Sequence, residues 1–442
     1  MFRLREILSL ACLSMPALAA TLPADRETVP RAELAAIVAA PDEYPATSGY
    51  TQRVEYIDFS SFGQDFTQVV VILTPDKPRL HRGRKLVVVG GEPGSEYARD
   101  FLETPEGKEG PGVWLARRGV TFVALTRVGR WNFLAPGDSG SWEGVPLESR
   151  MPMFSRRQAA HWTAADFETK SSGVQGATSG DSAVYRMPKP GSALYKQMLA
   201  AAPATYLTGY RLAIERAVPP AQRADHFVLY WGMSTGGAFL YPLARQLPPD
   251  GYLGWGTSST GLAYVYRRAK GNDFNQPYAQ SALRVRERGL DDFTYYTKEM
   301  DAATRAAWWK NAQKGPRFKS GEDAPMQFGA GALTEIAMRL WLSDFLPASY
   351  REAGPAQFVR DMIEPSFPPA ELKRVAILDM NGTLDEAIPP RTVDAHREMM
   401  EPYARKYRVA RLEGLHHYLF TQDAIKIVGT YWLRFIDSGY FD

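Results

Sequence analysis

The sequence FVLYWGMSTGG, residues 227–237, decides the fold. Its first half is a continuous apolar run with branched and aromatic side chains, which is typical of a strand buried on both faces. Its second half places small residues around Ser234, and a helical pattern follows over residues 238–247. The stretch therefore predicts a strand that turns sharply into a helix, with Ser234 in the turn.

Strand patterns and helical patterns alternate on both sides of this stretch. Predicted strands cover residues 50–59, 67–73, 85–89, 120–125, 252–256, 374–378 and 409–412. The first two are joined by a Gly-containing turn and read as an antiparallel hairpin. Predicted helices cover residues 96–118, 204–218, 238–247, 392–406 and 424–436. This alternation predicts an α/β fold with a mostly parallel sheet flanked by helices.

Two segments interrupt the alternation and divide the chain. Residues 130–191 are rich in Gly, Ser and Pro and predict an irregular insertion, whereas residues 261–370 have a helical pattern and many aromatic residues. The core therefore divides into residues 50–260 and 371–442. A polar arm, residues 21–49, precedes it on the surface.

The first 20 residues resemble a secretory signal. Arg3 and Arg5 give a basic start, an apolar stretch follows, and residues 17–19 form a small-residue cleavage site. Cys12 could be the acylated cysteine of a lipoprotein, but the apolar residues after it favour cleavage at the small-residue site instead. Cleavage there removes the one cysteine of the chain and with it disulfides and thiol chemistry. We therefore expect an exported protein, either periplasmic or secreted.

The composition and the residue patterns limit which kinds of partner the chain is expected to bind. With 52 basic and 49 acidic residues, the net charge is +3 and no basic strip is present, so nucleic acid is not an expected partner. No later segment has the apolar length of a membrane span. No metal-ligand spacing is visible, and no cofactor is expected. The expected partner is a small-molecule or peptide substrate, and the sequence carries no signal for the oligomeric state.

Ser234 lies where a nucleophile would stand, and a serine hydroxyl needs a neighbouring base. Of six histidines, His416 and His417 alone follow a late predicted strand. Gly414 would let that loop bring His416 over the serine, so His416 is favoured and His417 is the alternative. The other four histidines are expected to have surface or structural roles: His81, His161, His226 and His396.

An acid must orient the base, and it is expected after the strand that precedes the histidine strand. Asp385 lies in the loop beyond residues 374–379 and is the favoured acid. Asp379 and Glu386 are its competitors, but Asp379 comes at the predicted end of the strand, where a structural hydrogen bond is the better interpretation. The catalytic order along the chain is then Ser, Asp, His.

Acyl transfer also needs donors for the oxyanion. One is expected to be the backbone N–H of Thr235, directly after the nucleophile. The other is expected in the loop after the strand at residues 85–89, at Gly91 or Glu92, where glycine permits close backbone approach.

These residues resemble the α/β-hydrolase superfamily at four ordered places: residues 90–94, the turn at Ser234, residues 382–389 and residues 414–416. Within it, Gly90-Gly91-Glu92-Pro93-Gly94 resembles the His-Gly-Gly-Pro-Gly loop of proline iminopeptidases and secreted tripeptidyl aminopeptidases. Two positions differ, since Gly90 replaces the histidine and Glu92 the second glycine. The Arg-Gly-x-Gly-x-Ser run of those families is replaced by Thr126-Arg127-Val128-Gly129-Arg130.

The resemblance implies that residues 261–370 form a lid, and an aromatic lid favours a bulky apolar or aromatic group. The leading prediction is a serine hydrolase of carboxylic esters. An aminopeptidase is the alternative and would pair the substrate ammonium with buried carboxylates. Candidates for those carboxylates are Glu92, Asp291, Asp292, Glu299 and Glu335. Hydrolysis of a carbon–carbon bond in a diketone would use the same triad, and a non-catalytic binding protein would not need to keep it.

Overall fold

The computed structural model describes residues 27–91, 99–104, 107–126, 128, 154–156, 167–171, 184–188, 193, 197, 200, 203–233, 235–256, 374–385, 393, 397, 400–416, 419 and 421–442. Its strands are β1 (Thr28–Val29), β2 (Tyr50–Ser61), β3 (Gln64–Pro75), β4 (Leu80–His81), β5 (Arg84–Gly91), β6 (Thr121–Leu125), β7 (Phe167–Ser171), β8 (Val184–Pro188), β9 (His226–Met233), β10 (Gly251–Trp255), β11 (Ala376–Gly382) and β12 (Lys406–Leu412). Its helices are α1 (Arg31–Ala39), α2 (Arg99–Leu102), α3 (Pro111–Ala116), α4 (Pro203–Ala217), α5 (Thr235–Leu243) and α6 (Gln422–Asp437).

Ten of these strands form one sheet in the order β1-β12-β11-β10-β9-β5-β6-β3-β2, with β4 paired to β5. All neighbours from β1 to β6 along this order are parallel. Strand β3 is antiparallel to β6, and β2 is antiparallel to β3, so this pair forms one side of the sheet as its outermost strands. A mostly parallel sheet with an antiparallel hairpin at one edge and β9 near its centre is the α/β-hydrolase fold, as the sequence predicts.

Helices cover both faces of the sheet because its strands are apolar on both sides. Strand β9 illustrates this, since Trp231 packs with α3 and α6 on one face and Tyr230 packs with α4 and α5 on the other. The ring centroids of Trp231 and Trp432 lie 4.5 Å apart, and both side chains are fully buried. Large aromatic side chains thus fill the core beneath the strand that leads to Ser234.

The predicted hairpin is confirmed. Strands β2 and β3 pair from Tyr50 opposite Pro75 to Ser61 opposite Gln64. Phe62 and Gly63 form the two-residue turn, and both have positive φ angles, 49° and 69°. Such a turn matches the twist of the strands it joins.

The single helix predicted over residues 96–118 is wrong. The described part contains two short helices, α2 and α3, with an antiparallel bridge between Glu103 and Glu109. Gly110 and Pro111 explain the break, because Pro111 lacks an N–H and suits the first position of a new helix. The helix predicted over residues 392–406 also ends early, since β12 begins at Lys406.

The arm at residues 21–49 is more ordered than a surface segment. Its described part begins with β1, which pairs in parallel with β12, and continues as α1. Leu34 and Ile37 of α1 are buried in the core beside α6. The arm therefore extends the sheet and covers one of its faces.

The insertions lie mostly outside the described residues. Within residues 130–191 the irregular prediction is wrong at β7 and β8, which form a separate antiparallel pair. Phe154 meets Phe66 edge to face at 6.3 Å, which attaches part of this insertion to β3. The predicted signal, residues 1–20, and the predicted lid, residues 261–370, lie wholly outside the described residues.

None of the described helices combines the length and the apolar character needed to cross a lipid bilayer.

Candidate active site

The predicted site residues follow strands that end at one edge of the sheet. Strands β5, β9, β11 and β12 are parallel, so their carboxyl ends lie on the same side. Gly91 ends β5, Met233 ends β9, Gly382 ends β11 and Leu412 ends β12. In parallel sheets this edge is where ligands bind.

Ser234 lies outside the described residues, but the strand before it and the helix after it are described. Strand β9 ends at Met233 and helix α5 begins at Thr235. A Cβ atom on Gly232 would lie only 2.3 Å from the Cα of Gly237, so strand and helix backbones are in direct contact. The predicted strand before Ser234 and helix after it are therefore present, and the helix begins earlier than residue 238.

Gly91, at the end of β5, contacts the helix that begins at Thr235. A Cβ on Gly91 would lie 2.8 Å from the Gly236 carbonyl oxygen, in the first turn of α5. The first N–H groups of a helix have no acceptor within the helix, and Thr235 is the first residue of α5. Gly91 therefore lies against the first turn of the helix that begins at Thr235, while Glu92 lies outside the described residues.

Asp385 is buried beyond the end of β11, with 3% of its surface exposed. Its backbone N–H donates to the Gly382 carbonyl at 3.1 Å, which closes a tight turn. The Asn381 side-chain amide donates to Asp385 Oδ2 at 3.1 Å. The carboxylate is therefore held in one orientation by the strand that precedes it.

Asp379, the first competitor, lies deeper in the sheet. Strand β11 continues past it to Gly382, so Asp379 is within the strand rather than at its end. The Tyr407 hydroxyl on β12 donates to Asp379 Oδ2 at 2.9 Å. Burial, and next the nearby Asp379, raise the pKa of Tyr407 well above its usual range, so the phenol stays protonated. Glu386, the second competitor, lies outside the described residues.

The loop that carries His416 folds over the end of β11. A Cβ on Gly382 would lie 2.1 Å from the Leu415 carbonyl oxygen and 3.2 Å from the His416 nitrogen. The Leu384 N–H donates to the Leu415 carbonyl at 3.0 Å. Because β11 lies between β12 and the central strands, the loop bends from β12 toward the centre of the sheet. Only glycine at position 382 leaves room for this approach.

A side chain secures the same contact. Thr383 Oγ1 accepts the N–H of Gly414 at 2.9 Å, and the Thr383 N–H donates to the Leu412 carbonyl at 3.1 Å. Gly414 has a φ of +84°, the left-handed conformation that glycine adopts without strain. The loops of Asp385 and His416 are thus bonded to each other, with His416 half-buried. His417 lies outside the described residues.

Sequence reasoning missed the supporting residues Asn381 and Thr383. A signal was available for Asn381, because a polar residue within a buried strand needs a hydrogen-bonding partner.

Of the other histidines, His81 bonds to Asp442 and His226 to the Gln222 carbonyl. His161 and His396 lie outside the described residues. Within the described part of the chain, no group of three His, Cys, Asp or Glu side chains is arranged to hold a metal.

Known proteins resemble this chain in structure only. No protein-family model matches it, and no curated protein matches it by sequence. Similar solved structures include a carboxyl esterase from Bacillus coagulans, with 13% identity, a TM-score of 0.42 and coverage of 89% of this chain and 100% of that one. A proline iminopeptidase from Mycobacterium smegmatis has 13% identity and a TM-score of 0.39, and covers 87% of this chain and 100% of its own.

A third is the 2-hydroxy-6-oxo-6-phenylhexa-2,4-dienoate hydrolase of Rhodococcus sp. strain RHA1, with 14% identity, a TM-score of 0.34 and coverage of 87% and 99%. The α/β-hydrolase fold of this chain rests on its own strand order.

The bond between Thr383 and Gly414 is testable by paired substitutions. Thr383→Val keeps the shape but leaves the Gly414 N–H without its acceptor, which is expected to lower the free energy of unfolding by about 1–3 kcal/mol. Thr383→Ser keeps the hydroxyl and should lose less. Urea denaturation of the three proteins measures this, and equal losses in both variants would contradict the bond.

Proposed function

We propose that this chain is an exported serine hydrolase that cleaves carboxylic esters with a bulky apolar or aromatic group. One observation carries the proposal. The strands that precede Ser234, Asp385 and His416 end at one edge of the sheet, and the loops of Asp385 and His416 are bonded to each other there. A base and its orienting acid must be neighbours, and this arrangement supports that pairing.

In the proposed reaction, Ser234 Oγ attacks the ester carbonyl while His416 takes its proton. His416 then gives the proton to the departing alcohol, which leaves an acyl group on Ser234. His416 then deprotonates a water molecule that attacks the acyl carbonyl, and it returns that proton to Ser234 Oγ as the acid leaves. Asp385 stabilises the imidazolium that forms in each half of the reaction.

The support around Asp385 suits this role. Buried carboxylates need hydrogen-bond donors, and Asn381 supplies one to Oδ2. Asn381 thereby fixes the plane of the carboxylate relative to the loop that carries His416. Asp379 has its own donor in Tyr407 and lies deeper in the sheet, which supports Asp385 as the orienting acid.

The oxyanion is proposed to bind at the corner between β5 and α5. The backbone N–H of Thr235 is one donor, and the N–H of Gly91 or Glu92 is the other. Contact between Gly91 and the first turn of α5 supports this placement. The positive end of the helix dipole adds favourable electrostatics for a developing negative charge.

A substrate panel tests the reaction class. Purified protein is given p-nitrophenyl esters with acetyl, decanoyl and phenylacetyl groups, together with aminoacyl p-nitroanilides and a vinylogous diketone. We expect ester turnover with a preference for the larger acyl groups, and Ser234→Ala should lower kcat/KM by about 1000-fold or more.

Three results would contradict the ester proposal. Anilide turnover that requires a free amine would assign an aminopeptidase, and diketone cleavage without ester turnover would assign a carbon–carbon hydrolase. Ester turnover that survives in Ser234→Ala would exclude Ser234 as the nucleophile.

Two matched pairs of variants test the acid and the base. Asp385→Asn should lower kcat by roughly 100- to 10,000-fold because histidine loses its orienting partner, whereas Asp379→Asn should stay within about 10-fold of wild type. His416→Gln should abolish turnover and His417→Gln should retain most of it. Circular dichroism checks that each variant is folded. The reverse order of effects in either pair would reassign that role to the neighbouring residue.

Export is proposed from residues 1–20. Expression in a bacterial host with an intact Sec pathway should place the protein outside the cytoplasm, with cleavage after Ala19 or Ala20. Mass spectrometry of the recovered N-terminus measures this, and a cytoplasmic protein that keeps its first residues would contradict export.

A further inference from the structure

The described part of the N-terminal arm, residues 27–49, lies directly beside the histidine loop, residues 413–416. Strand β1 pairs with the end of β12, with Thr28 opposite Arg411 and Val29 opposite Leu412. The next residue after β12 is Glu413. The arm therefore reaches the point where the chain leaves the sheet toward His416.

Glu413 bonds to the arm through both its backbone and its side chain. Its N–H donates to the Val29 carbonyl at 3.1 Å, and its carboxylate Oε2 accepts the Arg31 N–H at 2.8 Å. Arg31 is the first residue of α1, and Pro30 before it supplies no side-chain cap. Glu413 thus performs the capping that the arm lacks, and a negative charge is favourable at this end of a helix.

The Arg31 side chain adds a packing contact. Its Cδ lies 3.6 Å from where a Cβ of Gly414 would stand. Gly414 is the position where the loop turns back toward β11. The arm therefore faces the outer side of the turn whose inner side is bonded to Thr383.

The arm is itself fixed to the core at other points, so it can serve as a support. Leu34 and Ile37 are buried, and the Tyr431 hydroxyl donates to Glu33 at 2.7 Å. Glu43, beyond α1, pairs with Arg434 of α6 at 2.6 Å. These contacts hold the arm without involving the histidine loop.

We propose that Glu413 is a positioning residue that fixes His416 by tying the histidine loop to the arm. This inference rests on the proposed function. The loop then has two supports, β11 on the inner side and the arm on the outer side. A base must be held close to its reactive orientation, and small displacements are costly for the rate.

The test compares Glu413→Ala, Glu413→Gln and Glu43→Ala in the full chain. Glu43→Ala is the matched control because it also removes a carboxylate contact of the arm, but one made to α6. Glu413→Gln keeps an oxygen that can accept the Arg31 N–H. Hydrogen exchange of the histidine loop, kcat and KM for a p-nitrophenyl ester and the rate of labelling by a fluorophosphonate are measured for each protein.

In Glu413→Ala we expect amide exchange in residues 414–416 to rise about 10-fold and kcat to fall about 10-fold, with KM nearly unchanged. Glu413→Gln should restore most of both. Glu43→Ala should change neither, even where its unfolding midpoint falls.

Unchanged exchange in Glu413→Ala would overturn the inference, and so would the same loss of kcat in Glu43→Ala. The proposed function is judged separately on the wild type. If the fluorophosphonate does not label wild-type Ser234, the proposed function fails, while the exchange comparison still decides whether Glu413 holds the loop.

Discussion

The contact between the Leu415 carbonyl and Gly382 is the constraint on which the candidate site depends. Two strands, β11 and β10, lie between β12 and β9, so the loop after β12 must cross the end of β11 on its way toward β9. The crossing is possible because position 382 has no side chain and because Thr383 and Leu384 bond to the crossing loop. Neighbouring strands in a sheet are about 5 Å apart, so residues that follow β12 would lie far from the central strands if the loop did not fold over β11.

A second close approach shapes the other half of the site. Gly232 and Gly91 bring the ends of β9 and β5 against the first turn of α5. The helix can then begin directly after Ser234, with its first turn against Gly91. The apolar strands beneath, filled by side chains such as Trp231 and Trp432, keep these ends from shifting. Rigid strands thus present short loops, which suits a site that needs fixed geometry.

Much of this architecture could be predicted because its signals are local. The apolar run before Ser234 and the alternation of strands and helices identify the sheet, and the hairpin at Phe62 and Gly63 follows from turn chemistry. Other features depend on distant partners. Strand β1 has two residues and exists through pairing with β12, so no periodicity marks it. The break between α2 and α3 depends on the antiparallel bridge between Glu103 and Glu109, which lies directly before Gly110 and Pro111.

The candidate site divides in the same way. Residue type and chain order suggest Ser234, Asp385 and His416, since each follows a predicted strand. The contacts that hold the loops depend on tertiary structure, as the bonds of Asn381 to Asp385 and of Glu413 to Arg31 illustrate. No sequence motif marks either pair of residues as hydrogen-bonding partners. Supporting residues therefore emerge only when the loops are seen side by side.

The most direct measurement is a crystal structure of the protein after reaction with a phosphonate ester. We expect phosphorus bonded to Ser234 Oγ, and the phosphoryl oxygen within about 2.7–3.1 Å of the Thr235 N–H and of a second N–H at Gly91 or Glu92. One His416 ring nitrogen should face the adduct, and the other should bond to Asp385. An adduct on another residue, or a His416 ring directed away from Asp385, would contradict the proposed site.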